Sequence, residues 1–381
     1  MIYLDNAATT MCKPPQVAEA VCRAMGQFGG VGRGVHPASL AAGRAVFEAR
    51  GGVARLLGAS SAGCVSFGLN ATMALNIAIQ GLLQPGGVAV TTAASHNSVL
   101  RPLFRMRDLH GCEVRVAPVN AEGALDFAAY EEILDGANVV VATHSSNLTG
   151  DVYDIERMAA LAHSAGALFV LDAAQTAGAL PLSQQELGVD VLCFTGHKSL
   201  FGPQGTGGLC VIPEVKVPPL LEGGSGTHTY DERHPLFMPE ALEAGTVNAH
   251  GLVGLAAGAT YVEERGVTAI HAQVLGLTQR FERGAAAIPG VRILGGHGGI
   301  DRTGVCALVA EGIDSAQLGD ALAYEHGICV RAGAHCAPLM HRALGSEATG
   351  AVRFSFSCFN TSEEIDMALQ ALESSVKALR S

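Results

Sequence analysis

The stretch VLCFTGHKSLFGPQGTGGL, residues 191–209, reads as a buried strand that delivers one lysine to a glycine-rich turn. Residues 191–194 are apolar without interruption, as in a core strand. Lys198 follows with His197 before it, where it is presented to a bound ligand rather than to solvent. Upstream, LFVLDAAQTAGALPL (168–182) is a second apolar strand ending in Asp172, with Gln175 three residues later. A lysine after a core strand is, taken alone, most often a surface residue. The motifs around it change that balance.

The same texture recurs through the first two thirds of the chain. VAVTTA (88–93), NVVVATH (138–144) and GGLCVI (207–212) are further short apolar runs, separated by helical segments such as 155–165. This alternation predicts an open, mostly parallel α/β sheet, in which ligands bind beyond the carboxyl ends of the strands. His96, Asn147, Asp172 and Lys198 all fall just after such runs. From about Gly251 the pattern changes to a long helical stretch, a turn GGHGG (295–299), shorter strand-like pieces and a closing helix from Ser362. The expected division is a large domain over 15–250 and a smaller α+β domain made of 1–14 and 251–381.

CVSFGLNATMALNIAIQGLL (64–83) runs from a strand through residues 68–72 into an apolar helix, so free backbone N–H groups and the helix dipole would face an anion. Asn70 or Thr72 could equally be the helix N-cap, and the two roles are compatible. An acid at one strand end and a lysine at another, 26 positions apart, suit pyridoxal phosphate (PLP). The lysine condenses with its aldehyde and the acid pairs with the pyridinium nitrogen. GGHGG does not follow the strand-to-helix pattern of a dinucleotide fingerprint, which disfavours a nicotinamide.

Composition limits the alternatives. A chain of 381 residues exceeds what one core usually fills. With 49% hydrophobic and only 15% charged residues, much of it is expected in a core or a subunit interface. A net charge of −11 without a Lys/Arg-rich block argues against nucleic acid and anionic membrane as partners. No apolar run reaches membrane-spanning length, and the start MIYLDNAATTMCKPP lacks the features of a signal peptide. The ten cysteines show no CxxC pair or metal-type cluster, which fits a reducing cytosol and no bound metal. Cys64, Cys193, Cys210 and Cys306 read as buried small hydrophobes. Cys336, in the Gly/Ala segment RAGAHCAP, does not.

Nine ordered segments resemble the class V aminotransferase group of fold type I PLP enzymes, and within it the cysteine desulfurases and selenocysteine lyases. They are YLDNAATT (3–10), GRGVHPAS (32–39), SHNSVLRP (95–102), THSSNLTG (143–150), LDAAQTAG (171–178), TGHKSLFGPQGTG (195–207), EAGTVN (243–248), RAGAHCAP (331–338) and VRFSFSCFNT (352–361). The resemblance implies Lys198 as the cofactor-bearing base, Asp172 on the pyridine nitrogen, Gln175 on the phenolic oxygen and His96 stacked on the ring, with Asn147 beside it. It assigns the phosphate to Ala71, Thr72, Thr195 and His197, completed by Thr246 from a second subunit, hence a homodimer. Arg353, read as opening a strand with one buried face, would bind the substrate carboxylate through two parallel hydrogen bonds. Arg331 would support it.

The same resemblance makes Cys336 the thiol that takes sulfur from L-cysteine as a persulfide and leaves alanine, with an acceptor protein downstream. The chain departs from common members at Phe359, Ala332 and Thr195, the first two expected on the substrate side. The expected activity is a PLP-dependent cysteine desulfurase of the cytoplasm. The rivals are a class V enzyme that needs no thiol, such as a selenocysteine lyase, and a non-catalytic scaffold for sulfur transfer.

Overall fold

The computed structural model describes residues 1–380 apart from Arg33 and His297. Arg33 of GRGVHPAS, His297 of GGHGG and Ser381 thus lie outside the described residues. The chain begins with β1 (Ile2–Tyr3), α1 (Pro15–Gln27) and α2 (Pro37–Leu56). Strands and helices then alternate: β2 (Val65–Gly68), α3 (Ala71–Leu82), β3 (Val88–Thr92), α4 (Asn97–His110), β4 (Glu113–Ala117), α5 (Phe127–Glu132), β5 (Val139–Thr143), β6 (Asp151–Val152), α6 (Ile155–Ser164), β7 (Leu168–Asp172), β8 (Val191–Thr195) and β9 (Gly207–Val211). The C-terminal part adds α7 (Ala249–Arg265), α8 (Val267–Ala286), β10 (Val291–Leu294), β11 (Asp301–Arg302), β12 (Val305–Ala310), α9 (Ser315–His326), β13 (Ile328–Cys329), β14 (Arg331–Gly333), α10 (Pro338–Ala343), β15 (Ala351–Ser355) and α11 (Ser362–Arg380).

Seven strands form the main sheet in the order β2-β9-β8-β7-β5-β3-β4. β8, β7, β5, β3 and β4 run parallel, and β9 is antiparallel to both its neighbours. Every residue of β5, β8 and β9 is buried. The period of two explains why these runs lack polar positions. Val139, Val141, Val170 and Cys193 pack with residues of α3 and α4 on one face, while Val140, Ala142, Phe169 and Phe194 pack with residues of α2 and α6 on the other. Full burial of each such large side chain contributes roughly 1.5–3 kcal/mol. α7 packs against α1 and α2 and adds Leu252 and Leu255 to this core.

A second, antiparallel sheet has the order β10-β12-β15-β14. Cys306, Leu308, Val352 and Phe354 pack beneath α8, α9 and α11, while Ala307 and Ala351 belong to the first core. Arg353 therefore differs from its expected setting. It is the middle residue of β15, not its start, and all five residues of that strand are buried. The reason is position: β15 lies between β12 and β14, with helices on one face and the main core on the other. The N-terminus joins this half, with β1 parallel to β13 and Asp5 bridged to Ser355. Among the described residues, no helix is long and apolar enough to cross a membrane.

Candidate active site

Because β3, β5, β7 and β8 are parallel, their C-terminal ends meet along one edge of the sheet. Asp172 ends β7, with Thr143 opposite it on β5 and Cys193 on β8. At this edge lies a cavity of about 200 Å³. Ala71 and Thr72 line it from α3, and His96, Asn147 and Asp172 from the strand ends. Gln175 follows β7, and Thr195, His197 and Lys198 come from β8 and its turn. Nine of the candidate site residues thus share one cavity, with Asn70 beside them.

Two helices start at this cavity, and each is capped by a side chain. Asn70, not Thr72, is the N-cap of α3: its Oδ1 accepts from Met73 N at 3.0 Å. Thr72 Oγ1 instead lies 2.7 Å from Ser98 Oγ. His96 caps α4, with Nδ1 accepting from Ser98 N at 3.0 Å. Burial, assisted by the Lys198, Arg331, Arg353 and Arg101 charges, holds its pKa down at about 4. The ring is therefore neutral near pH 7, with its proton on Nε2.

Electrostatics single out the strand ends. Burial raises the pKa of Asp172, opposed by its hydrogen bond from Ala174 N and by the Lys198 charge. Lys198 is brought down to about 8 by burial, against the pull of Asp172 and with the push of Arg353 and Arg331. His197 is held at about 4, chiefly by burial and then by Lys198 and Lys13. Its carbonyl accepts from Thr10 N, Thr10 Oγ1 and Thr9 Oγ1, which fixes the lysine turn to the N-terminal segment. Among the described residues Asn147 Oδ1, Thr195 Oγ1 and His197 Nδ1 are buried without a partner. Such atoms call for a ligand.

Four sequence candidates lie outside the cavity lining. Arg353 is buried, donating from Nη1 to the Asn147 carbonyl at 3.0 Å and from Nη2 to Asp5 Oδ1 at 2.8 Å. Arg331 stands opposite it on β14 and is partly exposed. Cys336 is partly exposed in a turn where both it and His335 have positive φ, 55° and 51°. That turn is tied to the cavity residues: Asn147 Nδ2 donates to the His335 carbonyl at 2.7 Å, and Asn97 N to the Cys336 carbonyl at 2.8 Å. Thr246 is exposed and lines a different cavity, with Gly30 and Phe47.

Two departures from common members have defined packing. Ala332 pairs with Val352 and its Cβ approaches Gly319 of α9, on the sheet face opposite to that of Arg353. Phe359 packs with Phe201 and Tyr261 in an aromatic cluster. Cys64, Cys193, Cys210 and Cys306 are buried as expected. Sequence reasoning missed Asp5, Ser98 and Lys13. Asp5 stood inside the quoted segment YLDNAATT, but its partner is 348 residues away. Among the described residues no group of three or more His, Cys, Asp or Glu is placed to hold a metal.

Comparison with known proteins agrees with this geometry. The probable cysteine desulfurase of Pyrococcus abyssi is 36% identical, the match covering 100% of this chain and 96% of the relative. That of Methanothermobacter thermautotrophicus is 34% identical, with 98% and 94% covered. The apo structure of cysteine desulfurase from Thermococcus onnurineus NA1 superimposes with a TM-score of 0.93 at 34% identity, covering 99% of this chain and 95% of that one. The Escherichia coli cysteine desulfurase in its S-sulfonic acid form gives 0.89 at 29% identity, with 99% and 94% covered. The sequence profile described as aminotransferase class-V spans residues 2–368. With its parallel-sheet edge, lysine turn and buried acid, the chain belongs to the class-V aminotransferase family.

Proposed function

We propose that the protein is a cysteine desulfurase that holds PLP on Lys198, converts L-cysteine to alanine and carries the sulfur as a persulfide on Cys336. The family is PLP-dependent, and the cavity fits that group. Among the described residues Thr195 Oγ1, His197 Nδ1 and Asn147 Oδ1 are buried and unpartnered and Asp172 is a buried acid without a cationic hydrogen-bond partner, and the start of α3 opens onto the space. When bound, PLP supplies an electron sink for bonds to the substrate's α-carbon.

The roles are those the family resemblance implies, and the setting of each residue supports them. Lys198 Nζ, with its lowered pKa, is available as a neutral amine to condense with an aldehyde and then to carry the α-proton. With the group bound, Asp172 would keep a proton on its ring nitrogen, Gln175 Nε2 would donate to its ring oxygen, and neutral His96 would lie against the ring. Ala71, Thr72, Thr195 and His197 hold the phosphate at the α3 N-terminus. Thr246 is exposed and does not line this cavity, which is compatible with the part the family resemblance implies for it: completing the phosphate site of a second copy in a homodimer. Arg353, with Arg331 and Asn147 beside it, receives the substrate carboxylate.

The observation that carries the assignment to a desulfurase is the Cys336 turn, hydrogen-bonded to Asn147 of the same cavity and to Asn97, the neighbour of His96. The Cys336 sulfur attacks the substrate sulfur, and an S–S bond replaces the bond from sulfur to carbon. The carbon retains the bonding pair and takes a proton, leaving alanine. The persulfide then passes to an acceptor protein or thiol in the cytoplasm. The test measures alanine and sulfide from L-cysteine with the purified protein and with Cys336→Ser. The variant is expected to keep its yellow colour and to lose alanine formation to background. Alanine formation at the full rate would replace the desulfurase with a thiol-independent class V enzyme.

A further inference from the structure

The Cys336 turn is built on backbone that its own residues disfavour. Among the described residues, His335 and Cys336 are the one place where two successive non-glycine residues have positive φ, 51° and 55°. Left-handed backbone sets Cβ against the following carbonyl oxygen, so such a turn persists only where its surroundings hold it. Three holds act on the backbone: Asn147 Nδ2 on the His335 carbonyl, Asn97 N on the Cys336 carbonyl, and Ala337 N on the Ala334 carbonyl at 3.0 Å. A fourth acts on the His335 side chain. Its Nε2 lies 3.1 Å from the Arg331 carbonyl, and its ring is stacked on that of His341, with centroids 5.8 Å apart and an interplanar angle of 10°.

His341 is fixed from its other side. It is 1% exposed on α10, and Met340 and Leu344 near it belong to the main core. Its Nδ1 lies 2.8 Å from Ser346 Oγ, and Ser346 is equally buried. Ser346 N donates to the His341 carbonyl at 2.9 Å, and Gly350 N, one residue before β15, donates to the Ser346 carbonyl at 2.9 Å. The chain thus leaves the sheet at β14, makes the turn and α10, and returns to β15 along a side-chain path from Ser346 through His341 to His335.

Charge does not explain this path. A carbonyl only accepts, so His335 Nε2 carries the ring proton. Burial, then the Arg353 charge, holds the His335 pKa down at about 3, and burial lowers that of His341 as well. Neither ring is cationic near pH 7, so the pair does not draw the neighbouring thiol toward thiolate. What it supplies is position.

We propose that His341 is a positioning residue for the Cys336 nucleophile: held by Ser346, its ring backs His335 and keeps the turn in its left-handed form, and so the sulfur in one place. This rests on the reading of Cys336 as the thiol that takes the substrate sulfur. Attack on a bound substrate requires a fixed sulfur, and a misplacement of about 1 Å costs up to ~10²-fold in rate. Reaction with a small, freely diffusing reagent has no such requirement. The two reactivities should therefore move apart when the His341 ring is lost.

The test uses the PLP-loaded wild-type protein, His341→Ala, Ser346→Ala, and the double variant His341→Phe/Ser346→Ala, which restores a flat ring without the hydrogen bond. Alanine formation from L-cysteine is compared with alkylation of Cys336 by iodoacetamide in the absence of substrate. Alkylation is read by peptide mass mapping, because Cys12 and Cys22 are exposed as well. In His341→Ala kcat should fall by about tenfold or more with KM changed by less than about threefold, while Cys336 is alkylated faster. The double variant should recover most of both changes. If His341→Ala does not fold, Ser346→Ala must show the same divergence to a smaller extent. A wild-type kcat in His341→Ala, a parallel fall of kcat and alkylation, or a double variant as impaired as His341→Ala would reduce His341 to core packing and overturn the proposal. A wild-type protein that forms no alanine would overturn the reading of Cys336 instead, and the alkylation rates would still decide the part of His341.

Discussion

Lys198 sits between opposing influences: burial and the Arg353 and Arg331 charges disfavour its ammonium form, while Asp172 favours it. Burial wins, and the group titrates at about 8 instead of 10.5. Only the neutral amine attacks an aldehyde, so capture of PLP by the cofactor-free protein should accelerate about tenfold per pH unit below 8 and level off above it. Stopped-flow absorbance between pH 6.5 and 10 reads this directly. Asp172→Asn, which removes the opposing charge, should move the plateau to lower pH. A wild-type rate still climbing at pH 10 would show that Lys198 titrates as an ordinary surface amine.

At the level of elements, the start of α3 decides how an anion is received. Asn70 is extended and satisfies Met73 N, while the neighbouring strand comes very close: a Cβ at Gly207 would lie 2.7 Å from Asn70 Cα. Gly207 is thus the residue that lets β9 lie against the helix N-terminus. Asn70→Ala should cost about 1 kcal/mol of stability and speed PLP dissociation, since the first turn of α3 frays where it faces the phosphate. Urea unfolding and a PLP-release time course check the two effects. A loss of stability with unchanged PLP release would confine Asn70 to capping. The sequence could not choose between Asn70 and Thr72, because both residue types cap helices; the Asn70 Oδ1–Met73 N hydrogen bond, with Thr72 inside α3, decided it.

For the molecule as a whole, several histidines are folded in as neutral groups. His144 and His335 are 6% and 4% exposed, with pKa values pushed down to about 4 and about 3, mainly by burial. Unfolding returns each to about 6.5, so between those values the unfolded chain binds protons that the folded one refuses. Stability is therefore intact above pH 6.5 and falls as the pH drops toward 4, by roughly 1.4 kcal/mol per unit for each histidine and about 3 for the two. Urea midpoints at pH 7, 6 and 5 should decline in that order. Midpoints unchanged from pH 7 to pH 5 would show that these rings are reached by water in the folded state.

By itself the sequence determined β2, β3, β5, β7, β8 and β9 of the main sheet and the chain positions of Lys198, Asp172, His96 and Asn147 at or just after such runs. Those features depend on local runs of apolar residues, and a parallel sheet converts strand ends into one shared edge without further information. Only the tertiary structure decided that Arg353 lies inside β15, that Arg331 stands opposite it, and that Ala332 faces α9. It also decided that Asp5 pairs with Arg353 and that Asn147 and Asn97 hold the Cys336 turn. These contacts join residues hundreds of positions apart. They depend on strand register and on how one sheet packs against another, which no local pattern records.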